Sequence, residues 1–137
     1  MLKNFLIALS FMGLFACGHN VTEKSSSSIE REQPALTVYF PPLLAWLSPQ
    51  ERQKLWTFRD MDESTGYWVI VGHSDKNGSD EFKEQISVAR ARAVEKYLRD
   101  TYDYDVVGII QGLSDKKLVS KDQALNRRAE VMFVKYE

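Results

Sequence analysis

Only the stretch from Ala35 onward has the composition to build a core, and this limits what the chain folds into. Ahead of it, Gly18 to Pro34 holds Ser25-Ser26-Ser27-Ser28 and Glu30-Arg31-Glu32-Gln33-Pro34, with few apolar residues. Such a segment buries too little surface to offset its ordering entropy, so it reads as a flexible tether. Its root-mean-square reach is about 20–25 Å, and its stretched reach about 55–60 Å. The single cysteine, Cys17, permits no intramolecular disulfide. The folded part, 35–137, therefore relies on its core alone, and a domain of about 100 residues supplies one.

The first residues read as an address. Lys3 gives a positive start, and Phe5 to Phe15 is an almost unbroken apolar run. That is the layout of a secretory signal, and the run is shorter than the roughly 20 apolar residues that span a bilayer. Leu14-Phe15-Ala16-Cys17 closes it and resembles the bacterial lipobox, with Phe15 where a smaller residue is commoner. The resemblance implies removal of residues 1–16, lipid attachment at Cys17 and a lipidated N-terminus with its tether over 17–34. Several acyl chains on one residue anchor stably, each buried methylene adding about 0.8 kcal/mol. Gly18 stands where an Asp favours inner-membrane retention in lipoproteins, which points to the outer membrane.

From Ala35 the pattern becomes that of a folded domain. Ala35 to Phe40 is β-prone and stops at Pro41-Pro42. Ser48-Pro49-Gln50-Glu51 opens a helix, with Ser as N-cap, Pro at N1 and Glu51 completing a capping box; its expected end is Arg59. Tyr67 to Val71 is apolar on both faces, as in a central strand. A loop with Asn77-Gly78 follows, then a long helix over Glu81 to Thr101 capped by Ser79 or Asp80. Val106 to Ile110, closed by Gly112, is the third strand, and Ala129 to Tyr136 the fourth, after a polar loop. The order β-α-β-α-β-β predicts an α/β sandwich with two helices packed on a mixed four-stranded sheet.

The long helix carries the most telling residue. With Phe82 at zero and about 100° per residue, Ile86, Ala89, Ala93 and Tyr97 fall within roughly 60° of it. Arg90 falls near 80°, inside the apolar arc, and a buried charge needs a partner. Asp75, in the Gly72-His73-Ser74-Asp75 turn that feeds this helix, is the nearest candidate. Two readings follow: a structural pair fastening loop to helix, or a split site with one anion and one cation open to a zwitterionic ligand. Periodicity leaves both open.

Three blocks then resemble the OmpA-like peptidoglycan-binding domain of OmpA C-terminal domains, Pal lipoproteins and flagellar stators. They are Val71-Gly72-His73-Ser74-Asp75 with Gly78, Ile86-Ser87-Val88-Ala89-Arg90-Ala91 with Val94 and Leu98, and Asn126-Arg127-Arg128-Ala129-Glu130-Val131. They arrive in order, and the resemblance spans Leu36 to Glu137. It implies binding of the peptide stem of peptidoglycan at a diaminopimelate-type head group, with Asp75 taking the ammonium and Arg90 the carboxylate. Ser74 and Gly78 belong to the assisting turn, Asn126 and Arg127 brace the site, and Arg128 is structural. The sequence departs from the family at Phe40-Pro41-Pro42, where an Asp is usual, and at Lys83, where an Asn is usual. Ser74, Ile86 and Ala129 replace Thr, Leu and Val.

Other functions find less support. A net charge of −1 leaves no basic stripe for nucleic acid. Two histidines and no second cysteine argue against a metal site, and no cofactor is implied. His73, Ser74 and Asp75 are neighbours, but a triad is a matter of geometry rather than adjacency, so no enzyme is expected. Trp46, Trp56 and Trp68 read as core or sheet-packing residues. The expectation is an outer-membrane lipoprotein, lipid-anchored with its domain in the periplasm, whose partners are peptidoglycan, the membrane and envelope-complex proteins. The alternative is a structural lipoprotein subunit of a secretion, conjugation or motor assembly, using the same domain to dock protein.

Overall fold

A computed structural model of the chain describes residues 36–56, 66–102 and 108–136, all within the unit Arg31–Glu137. The signal segment, Cys17 and the tether lie outside the described residues, as do the expected helix end at Arg59 and the strand start at Val106. In chain order the elements are β1 (Leu36–Tyr39), α1 (Pro49–Trp56), β2 (Gly66–Gly72), α2 (Asp80–Tyr102), β3 (Gly108–Gly112), α3 (Gln123–Asn126) and β4 (Arg128–Lys135). The loop expected to be irregular between the last two strands thus contains a short helix. Asp122 caps it by accepting the Ala124 amide at 2.9 Å.

The strand order is β1-β4-β2-β3. β4 runs antiparallel to both neighbours, pairing Ala129 with Val38 and Val131 with Ile70, while β2 and β3 are parallel with Ile70 beside Ile110. The sheet is mixed, as the sequence predicts. Trp68 and Ile70 turn to the helix side and are buried with Ala91, Val94 and Leu98, whereas Tyr67 and Val69 are half-buried. Because β1, β2 and β3 point one way and β4 the other, their loops 40–48, 73–79 and 113–127 gather at one end of the sheet.

Local chemistry sets the helix starts. Ser48 Oγ accepts the Glu51 amide at 3.3 Å, but the Glu51 carboxylate accepts the Tyr39 amide at 3.1 Å instead of completing the capping box. That carboxylate ties α1 to β1. Ser79 caps α2, accepting from Phe82 at 3.1 Å.

The buried face of α2 comprises Lys83, Ile86, Ser87, Arg90, Ala91, Val94 and Leu98. Its centre lies about 110° from Phe82 at 100° per residue, not on the arc through Ala89 and Ala93, which are only half-buried. The reason is backbone proximity. A Cβ on Gly72 would sit 1.8 Å from the Ser87 carbonyl oxygen, and one on Gly112 2.4 Å from Ser87 Oγ. Two glycines of the sheet therefore admit the helix along its small residues Ser87 and Ala91. This rotation places Arg90 in the middle of the buried face. A second correction concerns the tryptophans: Trp68 is core, but Trp46 and Trp56 are 52% and 42% exposed.

Candidate functional site

The site is built where β2 ends. His73 donates its amide to the Arg128 carbonyl at 2.8 Å, and Ser74 donates to the Ser114 carbonyl at 2.9 Å. Held from both sides, His73, Ser74 and Asp75 are all buried. Asp75 Oδ1 accepts the Asn77 amide at 3.1 Å, an Asx turn that orients the carboxylate. Gly78 completes the turn at φ +98°, where a Cβ would also press on the Phe82 ring. Lys76 donates its amide to Gln123 Oε1 at 3.1 Å, joining this turn to α3.

Arg90 lies beneath the turn, 1% exposed. Its Nη1 donates to the His73 carbonyl at 2.9 Å, Nε to Leu44 at 3.1 Å and Nη2 to Pro41 at 3.4 Å, with the Phe40 ring 5.6 Å below. The expected direct pair between Arg90 and Asp75 is not formed. Chain turning at the sheet end leaves carbonyls without ladder partners, and the guanidinium satisfies them. The partner of Asp75 is Arg127, whose Nη1 lies 3.2 Å from Oδ2 while its Nε donates to the Phe40 carbonyl at 3.1 Å.

Arg90 and Asp75 still influence one another. Burial lowers the Arg90 pKa to about 10, the attraction of Asp75 opposes that shift and the repulsion of Arg127 adds to it. Arg90 therefore stays cationic at neutral pH. A guanidinium has five N–H donors, so two remain after the three carbonyls. The cluster of Arg90, Arg127 and Asp75 sets two cations beside one anion and carries one net positive charge. The Ser74 hydroxyl is buried without a hydrogen-bond partner.

The remaining site residues are placed differently. Asn126 is buried and accepts from Val119 at 2.8 Å while donating to the Ser120 carbonyl at 2.9 Å, so it shapes loop 113–127 from within. Arg128 bonds Glu130 at 2.9 Å and the Lys117 carbonyl at 3.2 Å, a structural position. Neither ring nitrogen of His73 has a hydrogen-bond partner, so His73 and Ser74 form no nucleophile–base pair. His73 Nε2 instead faces Glu130 Oε2 at 3.4 Å. Lys83 bonds both Asp115 and Asp80 at 2.8 Å, fastening the start of α2 to loop 113–127. Sequence reasoning missed Asp115 as its partner, because the two lie far apart in the chain and share no motif.

No protein-family model and no curated protein matches the sequence. Solved structures do resemble it. The peptidoglycan-associated lipoprotein from Burkholderia pseudomallei superposes with a TM-score of 0.66 at 23% identity, over 72% of this chain and 89% of the other. The OmpA-like domain of FopA1 from Francisella tularensis gives 0.61 at 18% identity, over 74% and 75%. The fold is that of the OmpA-like domain. The cell wall anchor of the T6SS from Pseudomonas aeruginosa gives 0.59 at 25% identity, covering 74% of this chain and 80% of that one. In this fold, the charged cluster occupies the end of the sheet where the loops converge.

Proposed function

We propose that this OmpA-like domain binds peptidoglycan non-covalently through the peptide stem, and that a lipid on Cys17 tethers it to the outer membrane. The observation that carries this reading is the cluster of Asp75, Arg90 and Arg127, with spare donors on Arg90 and one net positive charge. A diaminopimelate-type residue bears an ammonium and a carboxylate on one carbon. Asp75 takes the ammonium, sharing its carboxylate with Arg127, and Arg90 takes the carboxylate through its two free N–H groups. Similar structures named as a peptidoglycan-associated lipoprotein and a cell wall anchor support the same ligand. The lipobox resemblance of Leu14-Phe15-Ala16-Cys17 supports the anchor.

The test is co-sedimentation of the full chain, in mild detergent, with purified protein-free sacculi. Wild type should pellet. Asp75→Asn, which removes the anion, and Arg90→Lys, which keeps the charge but removes the bidentate fork, should each lose about a hundredfold in affinity, with folding checked by circular dichroism. A folded wild type left in the supernatant would reject the reading. A second reading then gains ground, that of a docking subunit in an envelope assembly. It draws on Leu118, Val119 and Leu125, exposed beside the site on loop 113–127.

A further inference from the structure

The loop between β1 and α1 displays more apolar surface than the fold requires. Leu43, Leu44 and Trp46 are 64%, 53% and 52% exposed within four consecutive residues. The loop is nevertheless fixed. Arg90 bonds the carbonyls of Pro41 and Leu44 at its two shoulders, and Phe40 at its base accepts from Arg127. Between those shoulders Leu43 sits at φ +59°, a left-handed conformation that a residue with a Cβ rarely adopts unless its surroundings impose it. A fixed loop with a disfavoured backbone and outward apolar side chains is the pattern of a preorganised binding surface.

Beside Trp46 runs a groove of about 370 Å³, lined also by Arg52, Lys96, Tyr97 and Asp100. Its charges are already engaged. Lys96 pairs with Asp100, and Arg52 donates to the Leu47 carbonyl at 3.0 Å while its guanidinium covers the Tyr97 ring at 6.0 Å. No field of one sign remains to attract an ion. An exposed indole beside balanced polar groups suits a neutral ligand with one apolar and one hydrogen-bonding side.

We propose that this loop and groove form a second subsite, for the N-acetylated sugar strand that carries the stem. The inference rests on the stem-binding reading. Sugar ring faces stack on Trp46, hydroxyls meet Arg52, Lys96 and Asp100, and acetyl methyl groups pack on Leu43 and Leu44. The choice of sugar over a protein segment follows from continuity. The loop is bonded to Arg90 itself, and the few extended residues between a bound diaminopimelate and its sugar span roughly 10 Å. A stem held at Arg90 has its sugar within reach of this loop.

The experiment compares three ligands on the full ¹⁵N-labelled chain in mild detergent: the stem tripeptide, the disaccharide-tripeptide and the disaccharide alone. The chain has three tryptophans, so three indole signals report, with buried Trp68 as internal control and Trp46→Phe to assign. The disaccharide-tripeptide should bind at least fivefold tighter than the tripeptide and should shift the Trp46 indole, which the tripeptide leaves in place. Trp46→Ala should erase that gain without changing tripeptide affinity, and Trp46→Phe should keep most of it. Equal affinities for the two stem ligands, or an unmoved Trp46 indole, would overturn the subsite. Should the tripeptide fail to bind, the stem reading fails on its own and the two sugar-bearing ligands decide: a Trp46 shift with both upholds the subsite, and none rejects it.

Discussion

At the residue scale, the charged groups around the turn divide into two sets. Arg90, Arg127 and Asp75 form the cluster to which stem binding is assigned in the proposed function, while His73, Arg128 and Glu130 form a separate contact network. In that second set Glu130 has its pKa lowered from 4.5 to about 2, first by His73 and then by Arg128, against the opposing effect of burial. A carboxylate whose folded pKa lies below its unfolded value binds protons more weakly when folded. Its stabilising contribution is therefore complete above pH 4.5 and declines as pH falls from 4.5 towards 2. Thermal melts of wild type and Glu130→Gln across that range should show a gap near pH 6 that closes by pH 2. A gap that stays constant would mean that Glu130 titrates as an ordinary carboxylate and that its contacts are incidental. Arg90 bonds three backbone carbonyls and keeps two donors over, so in the proposed function one residue would serve fold and site together.

At the element scale, the decisive event is how closely α2 rides on the sheet. Gly72 admits the helix backbone, since a Cβ there would meet Ser87 O at 1.8 Å, Ser87 C at 2.9 Å and Ala91 N at 3.0 Å. These are backbone atoms and cannot rotate away, so Gly72→Ala must push the helix outward. We expect a loss of about 3 kcal/mol in urea denaturation, at the upper end of overpacking costs. A loss below about 1 kcal/mol would mean the helix moves freely and the contact is not a constraint. The same contact explains what the sequence reveals and what it conceals. Strands and helix starts are legible, because alternation, Pro41-Pro42 and Ser79 act locally. The apolar character of Ala89, Ala93 and Tyr97 suggests a helix face displaced from the true one, because Ser87 and Lys83 look polar while being buried. Arg90 is legible as a misplaced charge, but its carbonyl partners are not, since backbone groups leave no mark in side-chain patterning. The pairing of Asp75 with Arg127 crosses from β2 to β4, and only the sheet order β1-β4-β2-β3 brings those ends together.

At the scale of the whole molecule, the proposed anchor and the proposed site would act on one equilibrium. In the proposed function, a lipid on Cys17 and the polar stretch Gly18 to Pro34 would hold the domain near the membrane with a root-mean-square reach of about 20–25 Å. A flexible link of this length converts wall binding into an intramolecular event at an effective concentration of roughly millimolar. On that reading, a site with modest intrinsic affinity would remain occupied in the cell, although the free domain would be diluted away. Cys17→Ser should therefore separate two measurements that would otherwise move together. Metabolic labelling with palmitate should mark wild type and leave the variant unlabelled. Affinity for purified sacculi should be the same for both, because Asp75, Arg90 and Arg127 are untouched. Crosslinking to the wall in intact cells should nonetheless fall at least tenfold for the variant. Equal crosslinking in cells would show that the site needs no anchor, and a parallel loss in purified sacculi would place Cys17 or its lipid in the binding interaction itself.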